Sequence, residues 1–517
     1  QTLIIIDKKI EHFLCLVLVL IDAANILVIN PFAAKSHYIA TRPIGVELAN
    51  RGHNVTIITA YKETNRPSNY HEVMVDNIPI WEVPNIFHMV NKTFQEFMNE
   101  IMWGGGYAFT EVILKSKEVQ EFLKKDNTFD LVISEQFMQE AMNILAYKYN
   151  APLVLFSTVG NCMKHNLVTG NPLQFNTVIF EYLMLRDSTN LWGRLYNIYA
   201  MAYEYVWWKY WFLGKHETLV AKYIPDLEEP VPSLFEVQKN VSLLLINSHF
   251  SFDTPIALLP NIVEGIIINI SFFQDLQDIL DNSKYGVVYM NFGSNVMISE
   301  MDSDKKEAFF KIFGKLKETV LMKWEEDTVL NKPENIITRK WFPQKEIFAH
   351  RNIKLFIAHG GLIGTQEALF HGIPILGVPI YTDQYNNLEL AEKTGFGKIL
   401  EYNDINENTL ESVLLEMLSN ESFKAKADEV STRFKDRPMT PLDTAMWWIE
   451  YVLRHNGAEF MKSPARHINW FQYFMLDIYL VVLSAILVVL FLIAIVVVVL
   501  KQLLRSQTMK NEKKKSS

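Results

Sequence analysis

The chain has 517 residues, of which 49% are hydrophobic and 21% charged, and a formal net charge of −9. That length is more than one hydrophobic core sustains, since single cores seldom grow past about 250–300 residues, and the composition excludes a disordered chain. An acidic balance with no basic stripe outside the last residues argues against nucleic acid as a partner, because a phosphate backbone demands a basic footprint.

Lys8 and Lys9 precede an apolar run from Phe13 to Ile21 and the small residues Ala23 and Ala24. This is the layout of a secretory signal over residues 1–24; a buried first strand is the alternative. Ile26 to Pro31 then reads as a short strand, followed by a polar loop with Lys35, Ser36 and His37, a helix from Ile39 to Asn50, a stop at Gly52 and a strand from Asn54 to Thr59. Strand, helix, glycine stop and strand make a βαβ unit. Further strands are predicted at 129–134, 152–157 and 241–247, which gives a parallel α/β domain over residues 25–271. Between Leu183 and Phe212, Met184, Trp192, Trp207, Trp208, Trp211 and several tyrosines crowd together at helical spacing. Helix-to-helix core packing, an apolar acceptor pocket and a membrane-touching surface all suit that composition. Cys15 and Cys162 are the two cysteines, and Cys15 lies in the expected signal, so no internal disulfide is expected.

A polar linker is expected over 272–285. A second run of strands follows at 287–292, 320–324, 336–338, 354–358 and 373–378, which predicts another parallel α/β domain over 286–455. Residues 456–478 form a juxtamembrane segment with Trp470, Phe471 and Tyr473, and 479–500 is an apolar run broken only by Ser484. About 20 such residues span a bilayer as a helix. The basic tail 501–517 puts that end in the cytosol by the positive-inside rule, so a type I membrane protein is expected. Lys514 and Lys515 match a dilysine endoplasmic reticulum retrieval signal, with a plain stop-transfer tail as the alternative. Sequons at Asn91, Asn240, Asn269 and Asn420 fit a lumenal domain, whereas Asn54 opens a strand and is expected unmodified.

The chemistry gathers at the ends of the second-half strands, where ligands bind in parallel sheets. Gly293 and Ser294 form a tight turn suited to phosphate. Trp341 offers an indole face to a base and Gln344 an amide to its edge. His359, Gly360 and Gly361 allow close approach to a diphosphate, with Gly364 and Thr365 at the start of a helix. Glu367 can accept from two ribose hydroxyls, and Asp383 and Gln384 can grip a sugar. Taken singly, Trp341 could be core, His359 a structural turn and Glu367 a surface charge; their recurrence at successive strand ends favours a site. No Asp or His cluster has metal-ligand spacing, so no metal or other cofactor is expected.

The run Trp341, Pro343, Gln344, His359, Gly360, Gly361, Glu367, His371, Gly372, Pro374, Asp383, Gln384 and Asn387 resembles the signature of the animal UDP-glycosyltransferases, the UDP-glucuronosyltransferase-like branch. The likeness extends over nearly the whole chain. It implies the GT-B fold, two Rossmann-like domains facing a cleft, with the acceptor in the first and the UDP-sugar in the second. It also implies a catalytic histidine in the first βα loop, here His37, whose ordinary pKa suits a base that takes the acceptor proton. The family usually orients this histidine with an Asp; the matching position holds Glu135. A second departure is Ile363-Gly364, where relatives carry a polar residue. The resemblance implies inverting transfer of glucose or glucuronate from a UDP-sugar to a hydroxyl of a small lipophilic acceptor, as in conjugation of xenobiotics or endogenous compounds. Two alternatives stay open: a lumenal binding or modulatory subunit that has lost catalysis, and another two-domain nucleotide-sugar enzyme. Acceptor contacts are expected around Ile86 to Phe109 and in the aromatic stretch; oligomeric state is open.

Overall fold

A computed structural model describes residues 23–75, 86–183, 185, 190–265, 276–329 and 332–515. The signal expected over 1–24 falls almost wholly outside the described residues, as do Cys15, Met184, the Asn269 sequon, the start of the 272–285 linker, and Ser516 and Ser517.

Two parallel sheets organise residues 23–462. The first runs β3-β2-β1-β4-β5-β6-β7, with β1 Asn25–Asn30, β2 Asn54–Thr59, β3 Tyr70–Met74, β4 Leu131–Glu135, β5 Leu153–Ser157, β6 Val241–Ile246 and β7 Ile262–Glu264. The second runs β10-β9-β8-β11-β12-β13, with β8 Val287–Asn291, β9 Thr319–Lys323, β10 Ile336–Arg339, β11 Ile353–Ala358, β12 Ile375–Gly377 and β13 Gly397–Ile399. Every strand pair is parallel. The helices include α1 Lys35–Asn50, α2 Leu191–Val206, α3 Gln344–Ala349, α4 Leu362–Phe370, α5 Gln384–Thr394 and α6 Pro441–Arg454.

The continuous apolar runs are buried on both faces, as parallel strands require. In β1, Leu27 and Ile29 face one cluster with Val132 and Leu155, while Ile26 and Val28 face another with Ile133, Val154 and Ile44 of α1. The second sheet repeats this division, with Met290 and Ile357 on one face and Tyr289 and Phe356 on the other. In each sheet the strand order reverses once, between β1 and β4 and between β8 and β11. The crevices outside the carboxyl ends of these strands are where an open α/β sheet receives ligands.

Three strands escape the sequence reading: β3, β7 and β13, all at sheet edges. These three bury less and carry no long apolar run, so nothing in composition marks them, unlike the edge strand β10, which the sequence reading includes at 336–338. The helix expected from Ile39 begins at Lys35, so His37 stands in its first turn rather than in a loop. From Leu276 onwards the expected linker is folded: Gln277–Asn282 is helical, and Leu276 and Leu280 are buried in the second domain's core. Helix α6, within the expected 286–455 range, packs on the first sheet through Ala445, Met446, Ile449 and Val452. Each of the three larger side chains contributes about 2 kcal/mol by leaving water. Thr440 caps α6 by accepting from the Asp443 amide at 3.1 Å, and Arg51 at the end of α1 pairs with Asp443 and Glu450 at 3.1 and 3.3 Å.

The aromatic stretch divides. Met201, Trp208 and Phe212 are buried in the first core, which is the packing reading, whereas Trp192 is 78% exposed and Tyr210 63%. Residues 463–517 form a separate unit whose main element is α7, Leu476–Lys515. Its segment Leu476–Asn511 is long and apolar enough to cross a membrane, and the 479–500 run lies within it.

Candidate functional site

After β1 the chain turns through Phe32, Ala33 and Ala34 into α1, which carries His37 into the crevice beside β4. The backbone there is tied down: Asn30 Nδ2 and Thr41 Oγ1 both donate to the His37 carbonyl, at 3.2 and 3.0 Å. The ring is held by Phe32 edge-on at 4.8 Å and Phe137 at 4.5 Å between centroids. Its Nδ1 lies 2.5 Å from Oε1 of Glu135, the buried last residue of β4. Thr158, just past β5, sets its Oγ1 3.0 Å from that Nδ1 and donates to Glu135 Oε1 at 3.0 Å. With the Nδ1 hydrogen directed at a carboxylate, the lone pair falls on Nε2, the tautomer a base needs.

The facing crevice belongs to β8 and β11. His359 follows β11 with Gly293 on one side and Gly361 on the other: a Cβ on Gly293 would stand 2.9 Å from its Cε1, and one on Gly361 2.7 Å from its Nε2. Two glycines therefore let one imidazole sit between two backbone segments. Burial, and then the Lys323 cation, push the His359 pKa down to about 3. It is neutral, so it contributes a hydrogen bond rather than charge, and its Nδ1 is buried without a partner among the described residues. Lys323 Nζ donates to the Gly293 carbonyl at 2.7 Å and pairs with Glu325 at 3.0 Å.

The Gly293 amide, expected to face phosphate, donates instead to Asn291 Oδ1 at 2.9 Å. The exposed Ser294 remains for that role. Helix α4 begins at Gly361 with no side-chain cap, so its first amides are open to an anion. Thr365 differs from expectation: it is fully buried, its hydroxyl donates to the Gly361 carbonyl at 3.1 Å, and its amide bonds the same carbonyl at 3.0 Å. It serves the helix start. Gln344 also differs. Its Oε1 accepts from Asn291 at 2.7 Å and its Nε2 donates to Glu367 Oε2 at 2.7 Å. The amide expected at a base edge thus orients Glu367, whose carboxyl is pushed up by burial against the opposing pull of Lys345.

Trp341 is 49% exposed, which rules out the core reading and leaves an indole face at the cavity. Asp383 stands just before α5 without capping it: its two oxygens accept from the Thr382 hydroxyl and the Asn387 side-chain amide at 2.8 Å each, and burial raises its pKa. Gln384 Oε1 accepts the Ile380 and Tyr381 amides at 2.9 and 3.1 Å, which fixes the loop before α5.

One cavity of about 410 Å³ is lined by His37, Gly293, Ser294, Trp341, Gln344, His359, Gly361, Gly364, Glu367, Asp383 and Gln384. Glu135 lies behind His37, and Thr365 behind the start of α4. Toward the first sheet the cavity wall is apolar, with Phe32, Ile101, Met102, Phe137, Met138 and Tyr182. Ile101 and Met102 belong to the 86–109 stretch expected to meet the acceptor; no residue between 191 and 212 reaches the cavity. Asn386 Nδ2 on α5 donates to the Glu181 carbonyl at 3.2 Å, and Gln366 Nε2 on α4 to the Asn247 carbonyl at 3.2 Å, so the two halves are bonded beside the site.

The family described as UDP-glucoronosyl and UDP-glucosyl transferase matches residues 24–514. The chain belongs to this family. It is 34% identical over 479 residues to the UDP-glycosyltransferase UGT5 of Dactylopius coccus, covering 88% of each chain. It is 28% identical over 475 residues to the UDP-glucuronosyltransferase 2B19 of Macaca fascicularis, covering 86% of this chain and 87% of that one. Among solved structures, CalG4, the calicheamicin glycosyltransferase, superposes with a TM-score of 0.54 at 17% identity, over 84% of this chain and 99% of its own. The fold is GT-B, and the protein is a UDP-glycosyltransferase of the hexosyltransferase type.

Several residues of this UDP-glycosyltransferase site lie outside the sequence reading. Thr158 follows a predicted strand and was open to the same strand-end logic that selected Gly293 and His359. Phe137, two residues beyond Glu135, was open to it as well. Lys323 carried no signal, because a lysine ending an apolar strand reads as a solvated charge. Asn291 reads as an ordinary strand end, and its bond to Gln344 exists only once β8 and α3 are brought together, while its bond to the Gly293 amide is local.

Proposed function

We propose that the enzyme transfers a hexosyl group, glucose or glucuronate, from a UDP-sugar to a hydroxyl of a small lipophilic acceptor by a single in-line displacement with inversion. The observation that carries this reading is the His37–Glu135 pair at 2.5 Å, opening into a cavity whose opposite wall bears His359, Glu367 and Asp383. His37 Nε2 takes the acceptor proton as the oxygen attacks the anomeric carbon. Glu135, held by Thr158, stabilises the imidazolium that forms. Trp341 stacks on the base and Glu367 accepts from the ribose. The start of α4, Ser294 and the His359 ring meet the charge that develops on the departing diphosphate. Asp383 and Gln384 lie at the sugar end. The apolar wall from Phe32 to Tyr182 suits a lipophilic acceptor, as pockets of this kind combine apolar lining with few placed polar groups. The side chains alone carry the reaction, with no metal. The C-terminal helix anchors the protein, and we place it in the endoplasmic reticulum membrane with both domains lumenal, a reading supported by the basic residues that follow the apolar run and by the sequons.

The test is a donor panel. Microsomes holding the full chain are given a simple phenol with UDP-glucose or UDP-glucuronate, with and without a chelator, and the product is identified by mass. One donor is expected to give conjugate irrespective of the chelator, and His37→Ala is expected to lose about 100-fold or more, the low end for a general base. Wild-type turnover in that variant would refute the assignment.

A further inference from the structure

Lys35 opens α1, two residues before His37, and its Nζ stands 3.5 Å from the centroid of the Trp341 ring. A residue of the first domain therefore touches the indole that we assign to the base. The other cations around the cavity are engaged. Lys323 is paired with Glu325 and bonded to the Gly293 carbonyl, Arg42 is paired with Glu63, and Lys345 lies 3.7 Å from Glu367. Lys35 has no carboxylate partner among the described residues. It lines the same cavity as Gly293 and Ser294. Its pKa is lowered by burial first and by Lys323 second, as expected of an ammonium that lacks an anion. A diphosphate brings the charge that this corner lacks, and a lysine is suited to meet it as a flexible point charge.

We propose that Lys35 is a donor-binding residue: it bridges the cleft to Trp341 and turns its ammonium onto the diphosphate of the bound nucleotide. This rests on the donor site assigned above. The Lys35 side chain, anchored on the helix that carries His37, then links arrival of the diphosphate to the placement of the base. An ammonium over an aromatic face at an exposed site is held less strongly than by a charge-assisted hydrogen bond to phosphate. Transfer from ring to phosphate is therefore downhill.

The test is calorimetric titration of the detergent-solubilised full chain with uridine, UMP and UDP, which needs no turnover. In Lys35→Met, UDP affinity is expected to fall about tenfold or more while uridine is unchanged or tighter, since the ring is freed. Lys35→Arg keeps most of the UDP affinity, and Lys35→Gln repeats the loss with a polar side chain, each checked for an unchanged thermal midpoint. Equal weakening of uridine and UDP would make Lys35 a support for Trp341 only and overturn the proposal, as would unchanged UDP affinity in both neutral variants. If the wild type binds none of the three ligands, the donor-site reading fails with it.

Discussion

Replacing Glu135 by Gln removes one charge at nearly constant volume, at the group that decides how strong a base His37 becomes. In the proposed mechanism His37 gains a proton in the transition state, and its imidazolium then faces a carboxylate whose Oε1 is 2.5 Å from Nδ1. With charge centres about 4 Å apart and an effective dielectric near 20, that attraction is about 4 kcal/mol. Some is recovered by water and by the amide dipole, so about 3–4 kcal/mol is lost, or a factor of 10²–10³ in kcat. KM for the UDP-sugar is expected to stay within about threefold, because Glu135 touches no donor-binding residue. The assay is initial rate against acceptor and donor concentration in microsomes, with the protein quantified by immunoblot. Glu135→Asp keeps the charge but withdraws it by about one bond length, ~1.5 Å. Thr158 then loses its shared partner, and an intermediate loss is expected. If Glu135→Gln stays within tenfold of wild type, the pair does not stabilise an imidazolium and His37 is not the base.

Gly293→Ala forces a side chain at φ +78° whose Cβ would sit 2.9 Å from His359. A destabilisation of about 1–3 kcal/mol is expected from strain and crowding, read as a lower thermal midpoint. A rise in donor KM should accompany it with acceptor KM unchanged. His216 is buried beside Phe212, its Nδ1 accepts from the Ala141 amide at 3.1 Å, and desolvation pushes its pKa down to about 4. The unfolded chain protonates this histidine near pH 6.5, so its contribution is complete above that pH and is lost as pH falls towards 4. Between pH 7 and 5 the stability advantage of wild type over His216→Gln should shrink by about 2 kcal/mol, measured by denaturant melts; a constant gap would contradict the buried neutral state.

Legibility followed burial and repetition. The central strands announce themselves by runs such as Ile26 to Ile29, because a strand covered on both faces has no polar side to hide the signal. Edge strands β3, β7 and β13 lack that cover and were silent. Among site residues, those beside glycines are visible, since a positive φ or a close approach leaves a mark in composition, whereas Thr158, Lys323 and Asn291 also stand at strand ends and carry no such mark. Hydrogen-bond direction leaves none. Nothing in the sequence says that Gln344 points to Glu367 rather than to a base, or that Thr365 bonds back to Gly361. Both amides and hydroxyls have several equivalent uses, and only the distance to a neighbour on another element selects one.

The ties beside the cavity bear on how the two halves work together. His37 and Glu135 stand at the reversal point of one sheet, and Gly293 and His359 at that of the other. In the proposed mechanism neither crevice alone holds both the base and the leaving-group site. Their register depends on contacts that join the halves: Asn386 to the Glu181 carbonyl, Gln366 to the Asn247 carbonyl, and α6 lying on the first sheet. Two of these start from the helices that follow the donor-site strands, α4 and α5, so a shift of either helix moves donor contacts and the interdomain bond together. Tyr182, next to Glu181, lines the apolar wall of the cavity. In the proposed mechanism, sugar contact at Asp383 and acceptor placement at Tyr182 are coupled through this bonded path, as a displacement in a single step requires of two substrates held by different domains.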